Sequence, residues 1–319
     1  MKIVVIVIFV LFVICLLLSN FLLNATFVKN NKWYDKLGHQ MMNPDNFKKT
    51  KTQYDIIEEN QKNLGYEFWD SANTEDVYLQ SERGRLYSRL FLHENSNKWV
   101  ICVHGYRKTG KEDMSFYALN FYSQGYNVLV PDLYAHGNSE GNDIGMGWKD
   151  RLDIILWVNE LIKRNSQSEI ILFGGSMGAS TIMMASGEIL PSQVKGIIAD
   201  CGYSSVYDEF SYLVKSLIKL PNFPLVTTLN ILAKVKLGTA LKEMSAVNQL
   251  KKNNLPTLFI HGNADKFVPH SMIYKNMEAT QGVKESLIVE NAPHLSSAIY
   301  EEEPYFETVF SFINRYCIK

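Results

Sequence analysis

Short apolar runs recur through the C-terminal three quarters of this chain, each ending in glycine or polar residues, with amphipathic stretches between them. The runs at 99–103, 127–130, 170–173, 194–199, 257–260 and 286–289 carry almost no polar interruption. Strands of that kind are buried on both faces, which predicts a parallel sheet. Two earlier strands, 76–80 and 86–93, flank Ser81-Glu82-Arg83-Gly84-Arg85, a hairpin-like connection with a glycine. Helical periodicity covers 113–123, 148–164, 179–188 and 305–316. In 148–164 the stripe Leu152, Ile155, Leu156, Val158, Leu161 and Ile162 reads as core. Strands alternating with helices predict a doubly wound α/β sheet.

Two segments break this rhythm. Residues 3–18 are uninterrupted apolar sequence, and after Ser19-Asn20 the run resumes with Phe21-Leu22-Leu23. The run reaches the roughly 20 residues that cross a bilayer and exceeds the core of a cleaved signal peptide. The expectation is an uncleaved, single-pass anchor over 1–27, with cleavage near Asn24-Ala25-Thr26 as the alternative. Lys2 and the free amine favour a cytoplasmic N-terminus and an extracytoplasmic domain, whereas Lys29, Lys32 and Lys36 pull the other way. A polar connector with scattered aromatics follows over 28–74, with a turn or helix start at Asn43-Pro44-Asp45 and helical character over 54–63. The α/β domain then occupies 75–319.

The second break lies between the strand ending at Asp200 and the one starting at Thr257, a segment too long for a plain crossover. Phe210, Tyr212, Leu213, Leu217, Leu220, Pro221, Phe223, Pro224 and Leu225 make it apolar. It reads as a partly helical cap over about 203–250, with Phe210 and Phe223 lining a pocket for an apolar group. Two ordinary crossover helices with a kink are the alternative.

Composition narrows the partners. With 32 Lys and Arg against 33 Asp and Glu, the net charge of −1 gives no basic surface for nucleic acid. The four cysteines, Cys15, Cys102, Cys201 and Cys317, are too scattered for a disulfide framework and read as free, buried thiols. Without a CxxC or a His/Cys cluster at zinc spacing, neither a metal nor a cofactor is expected.

The chemistry concentrates at Phe173-Gly174-Gly175-Ser176-Met177-Gly178-Ala179-Ser180. A Gly-x-Ser-x-Gly sequence between a strand and a helix forms a nucleophile elbow. The turn is so tight that side chains beside the serine clash, hence Gly174 and Gly178. It should leave Ser176 exposed at the sheet's tip, and the helix N-terminus behind it favours developing negative charge. A serine hydroxyl needs a base, and the base an orienting acid. Asp265, after the strand 257–260, and His294, after the strand 286–289, follow Ser176 in the order Ser, acid, His. Ser176 is thus the candidate nucleophile, His294 the general base and acid, and Asp265 the orienter. Asp200 is the alternative acid, since it also ends a strand. His270 falls at a helix start, His261 and His136 read as turn residues, and His39 and His93 as surface residues. The oxyanion donors should be the backbone N–H of Met177 and that of Tyr106, in His104-Gly105-Tyr106 after the strand 99–103.

Val103-His104-Gly105-Tyr106, Pro131-Asp132-Leu133-Tyr134-Ala135-His136-Gly137-Asn138-Ser139, the elbow, Ile260-His261-Gly262-Asn263-Ala264-Asp265 and Pro293-His294 together resemble the α/β-hydrolase superfamily. More closely, the chain is similar to its serine-aminopeptidase-like branch, including bacterial hydrolases with an N-terminal membrane anchor. The resemblance runs from about residue 76 to the C-terminus; one departure is Tyr134, where an arginine is common. It implies the α/β-hydrolase fold and the Ser176–Asp265–His294 triad. Substrate is left open, because that branch resembles esterases, lipases, thioesterases and peptidases alike. The expected activity is hydrolysis of carboxylic esters or thioesters, with lipid-like acyl compounds among the candidate substrates, through an acyl-enzyme. A peptidase is the alternative within enzymes, and a non-enzymatic binding protein on the same fold is the alternative outside them.

Overall fold

The computed structural model describes residues 2–29 and 51–318. Asn43-Pro44-Asp45, His39, Lys32 and Lys36 lie outside the described residues. Eight strands form one sheet: β1 (Thr74–Ser81), β2 (Gly84–Phe91), β3 (Lys98–Val103), β4 (Asn127–Asp132), β5 (Glu169–Gly175), β6 (Val194–Asp200), β7 (Thr257–Gly262) and β8 (Lys284–Val289). Their spatial order is β1-β2-β4-β3-β5-β6-β7-β8. The β1–β2 and β2–β4 pairs are antiparallel, and every pair from β4 through β3 to β8 is parallel. The expected strands are all present, and β3 to β7 are buried as their apolar sequence requires, but β8, at the sheet's edge, is largely uncovered and only Val289 is buried in it, unlike the expectation.

Side chains leave a strand alternately to its two faces, and the core divides accordingly. On one face Ile101, Val103, Ile170 and Leu172 meet α4 (Asp150–Arg164), α5 (Met177–Ala185) and the cap. On the other, Val100, Cys102, Ile171 and Phe173 meet α2 (Gln53–Ser71), α3 (Gly110–Ser123) and α11 (Glu302–Tyr316). All four cysteines are free; Cys102 and Cys201 are buried, whereas Cys15 and Cys317 are only partly covered, unlike the expectation.

The helical character read over 54–63 runs on to Ser71 as α2. It starts with a reciprocal cap: Oγ1 of Thr52 accepts from the Asp55 N–H at 3.2 Å, and the Asp55 carboxylate accepts from the Thr52 N–H at 2.6 Å. Phe68 and Trp69 then pack on Phe91, with ring centroids 4.8 and 5.1 Å apart. Gly65 is what lets α2 cross α3 closely. A Cβ there would lie 2.6 Å from the Phe116 nitrogen.

The N-terminal helix α1 (Lys2–Phe27) is exposed on all sides through Phe12, and its last turns belong to the core. Leu23 and Phe27 are buried in the cap-side cluster. The carbonyls that close α1 are held by the loop after β3. Tyr106 donates its hydroxyl to Thr26 O at 2.6 Å, and Arg107 Nη2 donates to Ala25 O at 2.9 Å and Val28 O at 2.7 Å. A cation at a helix C-terminus also suits the helix dipole. Ile144 N–H to Phe27 O, 2.8 Å, and Lys29 N–H to Asn142 O, 2.8 Å, complete the attachment.

Between β6 and β7 lie α6 (Val206–Leu213), a π-helical turn (Val214–Ile218), α7 (Asn222–Leu237) and α8 (Ala246–Leu250). α7 packs chiefly against α1 and α6 rather than on the sheet, so the segment is a cap and not a pair of crossover helices. Its remaining neighbours in chain order are α9 (Ser271–Ala279) after β7 and α10 (Ser297–Tyr300) after β8.

Candidate active site

Ser176 sits between β5 and α5 with φ 54° and ψ −118°, a left-handed conformation that non-glycine residues avoid. The strain is imposed by its neighbours. A Cβ on Gly174 would lie 2.5 Å from the Gly178 carbonyl carbon, and one on Gly178 would lie 2.0 Å from Val103 O. The Ser176 N–H donates to Asp200 O at 2.8 Å, which ties the elbow to β6. Contrary to the expectation of an exposed serine, Ser176 is only 6% exposed. The loops after β3 and β8 close over the elbow, with Gly105 and Leu295 against its residues.

The structure brings Ser176, His294 and Asp265 together. Nε2 of His294 lies 2.8 Å from Oγ of Ser176, and Nδ1 lies 2.7 Å from Oδ2 of Asp265. With an ionised carboxylate beside it, Nδ1 carries the proton, so Nε2 is free to accept the serine's. Asp265 is fixed by three further donors: the N–H groups of Phe267 and Val268 on Oδ1, at 2.8 and 2.9 Å, and Nε2 of His261 on Oδ2, at 3.2 Å. Burial pushes the Asp265 carboxyl up, but the imidazoles of His294 and His261 outweigh it and hold it well below the usual carboxylate range. Burial alone would lower the His294 pKa; the charges of Asp265, Asp200 and Asp113 and the hydrogen bond to Asp265 raise it instead.

The other expected residues sort themselves around this chain. Asp200 accepts from the Tyr305 hydroxyl at 3.0 Å, and burial raises its pKa to about 6, so it is not the group bonded to His294. His270 precedes α9 and His93 is exposed. His136 is buried, with Nε2 accepting the Arg107 N–H at 3.1 Å. Met177 opens α5 directly after Ser176. Tyr106 lies in the loop beside it, where a Cβ on Gly105 would be 3.5 Å from that of Ser176.

The part that three residues play in holding this loop was not read from the sequence. Asp113 accepts the Gly105 N–H at 2.9 Å; in the sequence it looks like an ordinary acidic residue in a helix's first turn. His104 donates from Nδ1 to Gly105 O at 2.7 Å and accepts the Leu133 N–H on Nε2 at 2.9 Å. Burial lowers its pKa to about 4, which keeps it neutral and able to accept. Asp132 accepts the N–H groups of Gly110 and Asn138, each at 2.8 Å, stitching the ends of β3 and β4 together. A signal was available for Asp132, since it stands in the Pro-Asp-x-x-x-His-Gly stretch.

Cys201, Asp265 and His294 could offer three metal-ligand atoms within 4.8 Å of one another. Burial pushes the Cys201 thiol well up, which disfavours the thiolate a metal requires. The other two atoms already face each other in a hydrogen bond. The chemistry of this set is that of a hydrogen-bonded relay.

A family model described as the alpha/beta hydrolase fold matches residues 98–224, from β3 through the elbow to the start of α7. The chain has the α/β-hydrolase fold. An esterase of Pyrococcus furiosus superposes with a TM-score of 0.62 at 24% identity, over 78% of this chain and 95% of that one. The acylaminoacyl peptidase of Pyrococcus horikoshii gives 0.59 at 17% identity, over 79% of this chain and 43% of the peptidase. In sequence, the chain is 29% identical over 223 residues to the uncharacterized protein YqkD of Bacillus subtilis (strain 168), covering 70% of this chain and 72% of YqkD.

Proposed function

We propose that this α/β-hydrolase-fold protein is a serine hydrolase of carboxylic esters or thioesters, working through an acyl-enzyme on Ser176. The observation that carries the reading is the continuous Ser176–His294–Asp265 hydrogen-bonded chain at a strained elbow. His294 Nε2 takes the hydroxyl proton as Ser176 Oγ attacks the acyl carbon. The N–H groups of Met177 and Tyr106 receive the oxyanion. His294 then protonates the departing alcohol or thiol, and a water, deprotonated by the same imidazole, releases the acid. Asp265 stays ionised and stabilises the imidazolium, which its low pKa supports.

A peptidase that grips a substrate amine needs an anionic partner. Glu209 in α6 is the one buried cap carboxyl that favours such a reading: among the described residues, neither of its oxygens has a hydrogen-bond partner. Burial, then the charges of Asp265 and Asp208, push its pKa well up, which favours the neutral form over the carboxylate an ammonium group would want. Ester and thioester hydrolysis is therefore the stronger reading. A panel of p-nitrophenyl acyl esters, acyl-thioesters and aminoacyl-anilides separates them: turnover confined to the anilides would reverse the order.

The reading includes a single-pass membrane anchor. Lys2–Phe27 is long and apolar enough to cross a membrane, and the minimal N-terminal tail with Lys2 favours an extracytoplasmic catalytic domain.

A further inference from the structure

The anchor helix is too short, on its free side, to cross a bilayer by itself. α1 is clear of the domain only from Lys2 to about Ile14, 13 residues, beyond which Cys15, Ser19 and Leu23 turn into the protein. Those residues rise about 20 Å, whereas the hydrocarbon core is about 30 Å thick. The missing third must come from the part of α1 that runs beside α7. Cys15 Sγ bonds Thr228 Oγ1 at 3.4 Å, and Lys236 bonds Asn20. Both pairs advance in the same direction, so the helices are parallel and the start of α7 points toward the start of α1. Pro224, about 6 Å before Thr228 along α7, is then level with the free half of the anchor, and Phe223 precedes it at a kink where its own backbone is extended (φ −90°, ψ 134°).

The outer edge of the cap has the character such a depth demands. Phe223 is 75% exposed, Ile231 60%, Val235 76% and Leu220 40%. Ile231 and Val235 share one edge of α7 by their spacing of four, next to the Thr228 line that touches α1. Between Glu209 and Glu243 the chain carries five lysines and no carboxylate. An exposed apolar edge bordered by lysines, of which Lys234 is paired with Glu243 at 3.0 Å, suits the boundary of an anionic membrane.

We propose that the outer edge of the cap, Leu220, Phe223, Ile231 and Val235, is immersed in the membrane leaflet from which α1 emerges. The same arithmetic places Thr26, and the Tyr106 that holds it, about 7 Å beyond the hydrocarbon boundary, within the headgroup layer. Tilting α1 draws the cap deeper. Where the serine-hydrolase reading holds, the oxyanion loop lies at the level of the ester carbonyls of membrane amphiphiles, and the substrate class is an acyl ester or thioester resident in the bilayer.

The test uses the full chain in nanodiscs of phosphatidylcholine and phosphatidylglycerol, in a Cys15→Ser, Cys317→Ser background. Nitroxide labels are placed at Phe223→Cys, Ile231→Cys or Val235→Cys, with Leu11→Cys as the membrane reference and Ile189→Cys as the aqueous one. The expected result is that the cap labels, like Leu11, are relaxed by oxygen more than by a water-soluble nickel chelate, and that Ile189 shows the reverse. Cap labels that follow Ile189 while Leu11 stays buried would overturn the proposal and leave the anchor standing. A Leu11 label in water would remove both. A second arm reads function: Ile231→Glu with Val235→Glu should lower cleavage of a vesicle-borne long-chain ester by about 10-fold or more and leave turnover of soluble p-nitrophenyl acetate unchanged. Equal losses on both substrates would contradict it. Failure of the wild type to cleave either ester would remove the hydrolase reading, while the label depths still decide the immersion.

Discussion

At the scale of single residues, the site depends on a few hydrogen bonds whose protonation states follow from their surroundings. Asp265 is held ionised and His294 is held protonated to a higher pH than a free imidazole. Catalysis needs the neutral imidazole. The rate should therefore rise with pH through a midpoint above 6.5, the ordinary value for histidine, rather than at or below it. A pH profile of kcat/KM measures this. Asp265→Asn, which removes the charge that lifts His294, should move the midpoint down and lower kcat by about 10⁴-fold. An unshifted midpoint in that variant would show that Asp265 does not set the basicity of His294. The meeting of Ser176, Asp265 and His294 was legible because each follows a strand with an apolar run and carries turn residues beside it. Asp113 and His104 were not, because their bonds run to backbone groups that only the folded loop brings near them.

At the scale of elements, the parallel strands β3 to β7 were legible from their apolar runs, since a strand covered on both faces leaves no polar periodicity to misread; β8 showed the same short run although the sheet's edge leaves it largely uncovered. The helices were less so. α2 was cut short because a glycine and scattered charges hide its buried side, and the docking of α1 was invisible because an apolar helix end looks the same whether lipid or protein covers it. Phe27 tests that docking. Phe27→Ala should cost about 3–5 kcal/mol of stability, read as a lower unfolding midpoint in detergent; an unchanged midpoint would mean that the helix end is not part of the domain's core. The cap also needs revision at one residue. Phe223 faces outward, whereas Phe210 is buried among cap-side residues. If the cap selects acyl groups, kcat/KM for soluble esters should rise with chain length by up to about 0.8 kcal/mol per methylene. That slope should be weakened by Phe210→Ala and unaffected by Phe223→Ala. A flat profile in the wild type would remove the cap as selector.

At the scale of the whole molecule, α1, the cap and the loop after β3 form one connected body. α1 is tied to the cap through Thr228 and Lys236, and to the loop after β3 through Tyr106 and Arg107. A hydrolase built this way, with α1 in a membrane as proposed, works where that helix leaves the bilayer, and sidedness decides which acyl compounds reach it. Protease added to intact cells from which the wall has been removed should digest the catalytic domain if it is extracytoplasmic. Complete protection until lysis would assign the domain to the cytoplasmic face and its substrates to intracellular acyl compounds.

The central claim is that Ser176 is a nucleophile activated by His294 and Asp265. Intact-mass and peptide mass spectrometry after treatment with a fluorophosphonate, run beside a turnover assay, tests it most directly. The account predicts one adduct, on Ser176, and a Ser176→Ala variant that melts like the wild type, takes up no label and has lost about 10⁴-fold or more in kcat. Labelling at another residue, or near wild-type turnover in Ser176→Ala, would contradict it.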